Sequence, residues 1–234
     1  MSKPSLEDRV ILITGATGAL GSVAARACAH AGATVVLLAR HIPRLEKLYD
    51  EIITSGGQTP AIYPLDLAGA SEQDYADLGE SLRRELGGLH GIMHCAAELG
   101  HLTPCSEIDG ARWQRLLQVN LTAPFLLTRA VSRLLIETGD ASAVFVGDSG
   151  VGDGKAFWGA YGVAKLGLAG YARILNAETE SFGLHSRLFT PGPMRSPIRL
   201  RAFPGEHPDT LPAPAAHAEE ITRLLGPPSV INPH

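Results

Sequence analysis

A tyrosine and a lysine stand four residues apart in the segment Tyr161-Gly162-Val163-Ala164-Lys165. Side chains at this spacing share one face of a helix, so the pattern brings a phenol next to an ammonium group. A nearby cation favours the phenolate form and makes proton transfer by the tyrosine easier. The spacing therefore predicts that Tyr161 exchanges a proton with a substrate and that Lys165 assists it.

A glycine-rich turn lies near the start of the chain, between an apolar run and a helical pattern. By itself this spacing is a weak signal, and an ordinary tight turn is the alternative. Where it joins a strand to a helix, it is typical of a dinucleotide site whose pyrophosphate rests on the helix N-terminus. Gly15 allows the turn, Gly18 lets the backbone approach the pyrophosphate, and Gly21 permits close helix packing. The residues predicted to contact the cofactor here are Gly15, Thr17, Gly18, Ala19, Leu20 and Gly21.

The end of the second apolar run bears on the choice between NAD and NADP. An NAD site places an acidic side chain there, which accepts a hydrogen bond from the adenosine ribose. No acidic residue occurs between Val35 and Arg40. Arg40 instead offers a guanidinium, which suits the 2′-phosphate of NADP. The sequence therefore favours NADP(H), and the alternative is a solvated arginine at a strand end.

Short apolar runs alternate with amphipathic segments along the whole chain, and these elements must position the residues above. The apolar runs are continuous, which is typical of parallel strands covered on both faces. The alternation predicts an α/β doubly wound Rossmann fold, with a parallel sheet of six to seven strands and helices on both faces. We expect one domain over residues 1–234. The predicted strands are 10–14, 34–39, 61–65, 91–96, 141–146 and 184–190, and the predicted helices are 20–31, 43–55, 71–86, 109–137 and 158–182.

Three segments depart from this regular pattern. Pro124 is expected to bend the long helix. Residues 193–216 are rich in proline and are expected to form an irregular substrate loop or lid. A short helix is expected at about 217–225, and a seventh strand would have to come from about 228–232.

Together these motifs resemble the short-chain dehydrogenase/reductase family over about residues 8–226. The stretches LLQVN at 116–120, WGAY at 158–161 and AFP at 202–204 are most similar to the YciK-type branch of bacterial oxidoreductases. The family motifs that occur in the family's order are the glycine turn at 14–21, Asp66, Asn120, Tyr161 with Lys165, and Pro191-Gly192.

The resemblance implies a role for each of these residues. Tyr161 would be the general acid, and Lys165 would bind the nicotinamide ribose and lower the pKa of Tyr161. Asn120 would hold a water of the proton relay, the alternative being a helix-surface amide. Asp66 would meet the adenine, the alternative being an acid at a helix N-terminus. The other cofactor contacts implied by family position are Leu67, Cys95, Ala96, Ala97, Pro191 and Gly192.

Two places depart from the family pattern. The usual Asn-Ala-Gly after the fourth strand is Cys95-Ala96-Ala97, and the serine expected thirteen residues before the tyrosine is Asp148. An ionised Asp148 would repel a developing alkoxide and raise the pKa of the tyrosine, whereas a carboxyl kept protonated by an apolar pocket would be able to donate. We expect the ionised form. We also expect Ser149 to point away from the substrate, because neighbouring strand positions alternate in direction.

Composition excludes several other classes of protein. Hydrophobic residues make up 45% of the chain and charged residues 19%, as in a folded enzyme rather than a disordered chain. A net charge of −4 offers no attraction to nucleic acid or anionic lipid, and no apolar run is long enough to predict a membrane span. The charged N-terminal segment, the three cysteines and the scattered histidines predict a cytoplasmic protein without signal peptide or metal site.

Two functions from different classes remain open. The first is an NADP(H)-dependent enzyme that reduces a ketone or aldehyde, or oxidises the alcohol. The second is a catalytically impaired NADP(H)-binding homologue that acts as a redox sensor or structural partner, which Asp148 and Cys95 would favour. Arg195, Arg199 and Arg201 would suit an anionic substrate or form a solvated loop face. The family resemblance implies a homodimer paired through helices 109–137 and 158–182.

Overall fold

The structure, a computed structural model, describes residues 5–227, which form a six-stranded parallel sheet with helices against both faces. Its strand order is β3-β2-β1-β4-β5-β6, so the chain winds outward in one direction and then crosses back to wind outward in the other. This order confirms the predicted doubly wound Rossmann fold. The strands are β1 (Val10–Thr14), β2 (Thr34–Ala39), β3 (Ala61–Pro64), β4 (Gly91–His94), β5 (Ala141–Val146) and β6 (Leu184–Phe189).

Two hydrophobic cores lie on opposite faces of the sheet. Successive residues of a strand point in opposite directions, so Ile11 and Ile13 join one core and Val10 and Leu12 the other. Because both faces are buried, the strands need apolar residues at every position, which explains the continuous apolar runs. The helices are α1 (Ala19–His30), α2 (Ile42–Thr54), α3 (Glu72–Leu86), α4 (Gly110–Leu117), α5 (Ala123–Glu137), α6 (Gly159–Thr179), α7 (Pro197–Ala202) and α8 (Ala218–Leu225).

The long helix predicted at 109–137 is two helices joined by a wide turn. α4 ends at Leu117, a π-helical turn spans Gln118–Thr122, and α5 begins at Ala123. Pro124 has no N–H to donate to the preceding turn, so an interruption is needed here. The structure places it in the turn before the proline rather than as a bend at the proline itself. Such π-turns are frequent at functional sites, and this one contains Asn120.

Within the described residues, one helical stretch, Gly110–Glu137, is long and apolar enough to cross a membrane by length and composition, with a mean hydropathy of 1.2. Half of the 18-residue stretch that passes this test is buried inside the protein. The buried side chains of α5, among them Leu127 and Val131, belong to the same hydrophobic core as Val10 and Leu12. A core helix of this kind passes the same compositional test as a membrane helix.

The prediction of an irregular connection over 193–216 is wrong in part, because α7 lies inside it and single 3₁₀ turns follow at Pro208–Thr210 and Pro214–His217. The Ser196 hydroxyl caps α7 by accepting a 3.1 Å hydrogen bond from the Arg199 backbone N–H. Pro197 occupies the first turn, where a missing N–H costs nothing. The prolines thus begin helical turns instead of preventing them. The expected seventh strand at 228–232 lies outside the described residues.

Candidate active site

A cavity of about 640 Å³ opens at the carboxyl ends of the strands, beside the point between β1 and β4 where the winding reverses. Ligands of doubly wound proteins bind in this crevice. Of the predicted catalytic and cofactor-binding residues, only Asn120 is absent from its walls, and Arg195 of the 193–216 segment is absent as well. The predicted residues that do line it are Gly15, Thr17, Gly18, Ala19, Leu20, Gly21, Arg40, Asp66, Leu67, Cys95, Ala96, Ala97, Asp148, Ser149, Tyr161, Lys165, Pro191 and Gly192.

The glycine turn after β1 is packed so closely that its glycines cannot be replaced without movement. Gly15 has a φ of +62°, and a Cβ built on it would lie 2.7 Å from the backbone of Ala96. A Cβ on Gly21 would overlap the Gly15 carbonyl oxygen. The turn therefore keeps the start of α1 open toward the cavity, where its first backbone N–H groups can meet a phosphate.

Three basic side chains surround the far end of the cavity. Arg40 follows β2, and His41 and Arg44 lie at the start of α2; all three are exposed and line the cavity. Over residues 5–227, neither Arg40 nor Arg44 is paired with a carboxylate. Arg40 was predicted from the sequence but Arg44 was not, because an arginine in the first turn of a helix cannot be told from an ordinary solvent-exposed residue by sequence alone. This end of the cavity has the charge that a 2′-phosphate requires.

Asp66 lies after β3 at the same end of the cavity. Its Oδ1 accepts a 3.1 Å hydrogen bond from the Ala68 backbone N–H, and its side chain is exposed. The alternative role as a helix N-terminal acid is wrong, because Ser71 caps α3 in a reciprocal capping box with Asp74. Asp66 is therefore available to a ligand in the cavity.

Tyr161 and Asp148, which both line the cavity, are joined by a short hydrogen bond. The Tyr161 phenol donates to Asp148 Oδ2 at 2.6 Å, and the Gly150 backbone N–H donates to Asp148 Oδ1 at 2.7 Å. Both carboxyl oxygens of Asp148 therefore act as acceptors, as they do in a carboxylate. Burial, the negative charge of Asp148 and this hydrogen bond all raise the pKa of Tyr161 above its usual value. Tyr161 is thus a neutral phenol whose proton points at Asp148.

Lys165 is buried below this pair. Its ammonium donates a 2.7 Å hydrogen bond to the Val146 carbonyl and lies 5.6 Å from the centre of the Tyr161 ring. Burial lowers the pKa of Lys165 to about 8, and the negative charge of Asp148 partly opposes that change. Burial and Asp148 raise the pKa of Tyr161 in this structure, and the lowering by Lys165 that the resemblance implies stays a prediction.

Asn120 is fully buried behind the cavity wall, so the alternative of a helix-surface amide is wrong. Its Nδ2 donates to the carbonyls of Glu98, at 2.9 Å, and Leu116, at 2.8 Å, while its Oδ1 accepts from the Glu98 N–H at 3.1 Å. The side chain thus holds the loop after β4 against α4. Its role with a relay water stays a prediction.

Ser149 follows Asp148, and Cys95 begins the Cys95-Ala96-Ala97 stretch; both lie where the sequence departs from the family pattern it resembles. The Ser149 hydroxyl donates to the Pro191 carbonyl at 3.5 Å, and Ser149 also lines the cavity, so the expectation that it points away from the substrate stays a prediction. Burial raises the pKa of the Cys95 thiol to about 12, so it is not a reactive thiolate. The Cys95 backbone N–H donates to the Thr14 carbonyl at 3.2 Å, which joins the loop to β1 without the missing asparagine.

An aromatic wall that the sequence analysis did not identify as part of the site stands beside Tyr161. The Trp158 ring lies 5.8 Å from the Tyr161 ring and 5.9 Å from the Phe203 ring, centre to centre. Ile198 and Ala202 on α7 pack against the same cluster and line the cavity. The WGAY and AFP stretches contain Trp158 and Phe203. Their sequence does not show that the two rings lie close together, because that proximity depends on how α7 folds back.

The three arginines of the 193–216 segment differ in their surroundings. Arg199 forms a salt bridge with Glu206, and its guanidinium lies 3.6 Å from the centre of the Phe203 ring. Arg201 donates to the Gly100 carbonyl at 2.7 Å, and Arg195 is 4.0 Å from a carboxylate oxygen of Asp209. The charge of Arg199 is already compensated by Glu206, and the role of the three arginines with an anionic substrate stays a prediction.

The geometry defines a nucleotide cavity with a tyrosine–lysine pair, and comparison with known proteins gives its class. Residues 9–206 match the family model of the short chain dehydrogenases, and the chain belongs to that family. It is 36% identical over 210 residues to YciK of Escherichia coli K12, an uncharacterised oxidoreductase, covering 90% of this chain and 83% of that one. The predicted likeness to the YciK-type branch is confirmed.

Solved structures agree with this assignment. A protein of Escherichia coli CFT073, assigned to the short chain dehydrogenases and solved with NADPH, superposes with a TM-score of 0.94 at 34% identity, covering 99% of this chain and 96% of the other. The crystal structure of the Escherichia coli oxidoreductase YciK superposes with a TM-score of 0.93, also at 34% identity, covering 98% and 94% of the two chains.

Proposed function

We propose that the protein is an NADP(H)-dependent oxidoreductase that reduces a ketone or aldehyde, or oxidises the corresponding alcohol, with Tyr161 as the general acid or base. The observation that carries the proposal is the position of Tyr161 and Lys165 in the same cavity as the glycine turn and Arg40. One end of this cavity suits a dinucleotide, and the other offers a phenol at a closed aromatic wall. A substrate carbonyl bound between these two ends of the cavity would contact both the dinucleotide and the phenol.

The residues present fit NADP(H). The glycine turn leaves α1 open to a pyrophosphate, and Arg40 and Arg44 are the cations nearest a 2′-phosphate. The likeness to a structure that contains NADPH supports the same cofactor here. When bound, NADPH supplies the hydride. Lys165 would then hold the nicotinamide ribose with its ammonium, as the family resemblance implies.

The chain's own residues would handle the proton. In reduction, the Tyr161 phenol donates its proton to the substrate oxygen as negative charge develops there. To do so, the phenol must leave its hydrogen bond with Asp148. Trp158 and Phe203 place aromatic surface at this end of the cavity, and water displaced from it by a bound substrate would strengthen the electrostatic interactions there. Asp148 is the group that works against an oxyanion.

The experiment that tests the proposal is a panel of small ketones and aldehydes with NADPH, followed by the loss of NADPH absorbance. Oxidation of NADPH with any carbonyl, dependent on Tyr161, supports the enzyme. Tight NADPH binding without turnover of any carbonyl or alcohol would instead leave the redox sensor or structural partner as the function. Tyr161→Phe is the matched variant, because it removes only the hydroxyl group.

For the assembly we infer a homodimer. Two helices of the structure, α5 and α6, carry large apolar side chains that are exposed in the single chain: Phe125 on α5, and Val163, Leu166 and Ile174 on α6. A second copy of the chain placed on this surface would cover them. Their position agrees with the pairing that the family resemblance implies.

A further inference from the structure

The site holds a carboxylate where carbonyl reduction calls for a hydrogen-bond donor. Asp148 lines the cavity next to Tyr161, and both of its oxygens accept hydrogen bonds, from the Tyr161 hydroxyl and the Gly150 N–H. A carboxylate in this place has no proton to offer to a substrate oxygen. It offers a negative charge instead, and a substrate that gains from that charge would suit the site better.

The charges around the reacting position cancel before any substrate arrives. Lys165 contributes a positive charge, Asp148 a negative one, and Tyr161 is a neutral phenol. Two arginines that also line the cavity, Arg115 and Arg199, are each paired with a carboxylate, of Glu98 and Glu206 respectively, and a third, Arg201, donates to the Gly100 carbonyl. At the reacting position itself, an alkoxide therefore meets no net positive charge from Lys165 and Asp148, and it lies next to the negative one.

We propose that this site reduces imines and iminium ions, whose carbon–nitrogen double bond carries positive charge, and that Asp148 is the carboxylate that faces the substrate nitrogen. The proposal rests on the proposed NADPH-dependent hydride transfer and names a substrate class for it. A protonated nitrogen both donates a hydrogen bond to Asp148 and brings the opposite charge.

The electron and proton balance of this reaction suits the structure. The carbon of the C=N⁺ group accepts a hydride from NADPH, the two π electrons become the nitrogen lone pair, and the products are an amine and NADP⁺. This two-electron reduction needs no proton from Tyr161, because the imine arrives already protonated. The hydrogen bond that directs the Tyr161 proton at Asp148 is therefore no obstacle. No anion forms at any stage, so the negative charge of Asp148 does not oppose the reaction.

The walls on the substrate side also suit a cation with an apolar body. Trp158 and Phe203 present aromatic rings, and Leu99, Ile198 and Ala202 add aliphatic surface. The faces of aromatic rings attract cations, but the Phe203 ring already has Lys155 at 4.8 Å and Arg199 at 3.6 Å from its centre, so it offers a substrate apolar surface rather than a free cation site. An amine product or iminium substrate would thus have an apolar wall on one side and a carboxylate on the other.

The test compares a cyclic imine with a ketone of the same ring size in two pairs: 1-pyrroline with cyclopentanone, and 3,4-dihydroisoquinoline with 1-tetralone. The kcat/KM with NADPH is measured for the wild type and for Asp148→Asn, which removes the charge but keeps the shape. We expect the wild type to prefer the imine of at least one pair by about tenfold or more, and Asp148→Asn to reduce that preference by about tenfold or more, the equivalent of about 1.4 kcal/mol. Asp153→Asn, at an exposed position on the same loop, should leave the preference unchanged.

A binding measurement provides a readout besides turnover. N-methyl-3,4-dihydroisoquinolinium cannot be reduced while NADP⁺ occupies the protein, so its Kd can be measured by calorimetry. Asp148→Asn should weaken this binding by about tenfold, and should not weaken the binding of 1-tetralone. An unfolding transition for each variant shows whether it is folded, and Asp148→Ser serves as the second neutral variant.

The outcomes separate the two proposals. If a ketone is reduced but neither imine is, or if Asp148→Asn leaves both the imine preference and the iminium Kd unchanged, the imine proposal is wrong and the carbonyl reductase stands. If NADPH binds but none of the four substrates nor the wider carbonyl panel is reduced, the enzyme itself is wrong, and the imine proposal fails with it.

Discussion

The side chain of Asn120 and the backbone of Glu98 form a two-way hydrogen-bonded pair, in which Nδ2 donates to the Glu98 carbonyl at 2.9 Å and Oδ1 accepts from the Glu98 N–H at 3.1 Å. The loop begins where β4 ends, and the Asn120 amide gives the Glu98 backbone the hydrogen-bond partners that a neighbouring strand would otherwise supply. The π-helical turn that contains Asn120 brings it within reach of both backbone groups. Asn120 is in this way a positioning residue for the cavity wall at Ala97, Glu98 and Leu99.

Replacing Asn120 with alanine should destabilise the protein by about 1–3 kcal/mol, because the Glu98 N–H and two carbonyls lose their partner in a buried place. Urea unfolding measures this loss. Gln58→Ala, which removes an exposed amide, is the control and should have little effect. An Asn120 variant as stable as the control would show that water replaces the amide at no cost.

The scaffold was largely predictable from the sequence, because most of its strands are set by local sequence patterns. β1, β2 and β5 have the predicted bounds, because each is a buried apolar run ended by a turn. The π-turn before Pro124 and the helix α7 were not predicted. Both depend on tertiary contacts or caps, since six residues between prolines carry too weak a periodic signal to indicate a helix.

The candidate site was predictable as a set of positions but not as a set of interactions. Counting from Tyr161 to Asp148 predicted that the two face each other, which the 2.6 Å hydrogen bond confirms. The second hydrogen bond to Asp148, from the Gly150 N–H to its other oxygen, is a contact that no residue pattern reveals. The pairing of Arg199 with Glu206 likewise depends on the fold of α7.

The cofactor preference should reside in Arg40. Arg40→Ala should weaken NADPH binding by about ten- to a hundredfold and NADH binding far less, because a charge-assisted hydrogen bond to a phosphate is lost in only one of them. Fluorescence titration with both cofactors measures the two Kd values. Arg84→Ala, at an exposed arginine of α3 that does not line the cavity, is the control. Equal losses for both cofactors, or a wild type that prefers NADH, would contradict the assignment.

The buried Lys165 should make stability depend on alkaline pH. Its pKa in the folded protein is about 8 against an ordinary value of 10.5, so between these values the unfolded chain binds more protons than the folded one. Folding stability linked to Lys165 therefore rises as the pH increases from about 8 to about 10.5, by an amount on the order of 3 kcal/mol.

The measurement is the difference in unfolding free energy between the wild type and Lys165→Met across that pH window. The wild type should gain stability relative to Lys165→Met as the pH rises, because only the wild type has the buried amine to neutralise. Lys47→Met, at an exposed lysine, should follow the wild type. Parallel curves for the wild type and Lys165→Met would mean that Lys165 stays charged without penalty.

The apolar surface of α6 should be the dimer contact. Leu166→Glu places a charge on this surface and should shift a dimer toward monomers in light scattering at micromolar concentration, because an unpaired buried charge is costly. Ile53→Glu makes the same change at a similarly exposed position of α2, 41% exposed against 43%, and should stay dimeric. A monomeric or tetrameric wild type would refute the assembly.

The last prediction concerns ketones and Asp148→Ser. A serine hydroxyl is able to donate to a substrate oxygen, whereas the Asp148 carboxylate accepts at both oxygens and repels the alkoxide. Loss of one such donor costs about 2.7–4 kcal/mol in transition-state stabilisation, so restoring one should raise kcat/KM on an activated ketone by at least about tenfold. The substitution also removes a negative charge and a hydrogen bond that raise the pKa of Tyr161, which makes its proton easier to give. Steady-state kinetics with NADPH give the result, with Asp153→Ser as the control for loss of an exposed carboxylate from the same loop. If Asp148→Ser abolishes ketone reduction while the control does not, then the carboxyl takes part in carbonyl chemistry, and its place beside Tyr161 is a catalytic requirement rather than a hindrance.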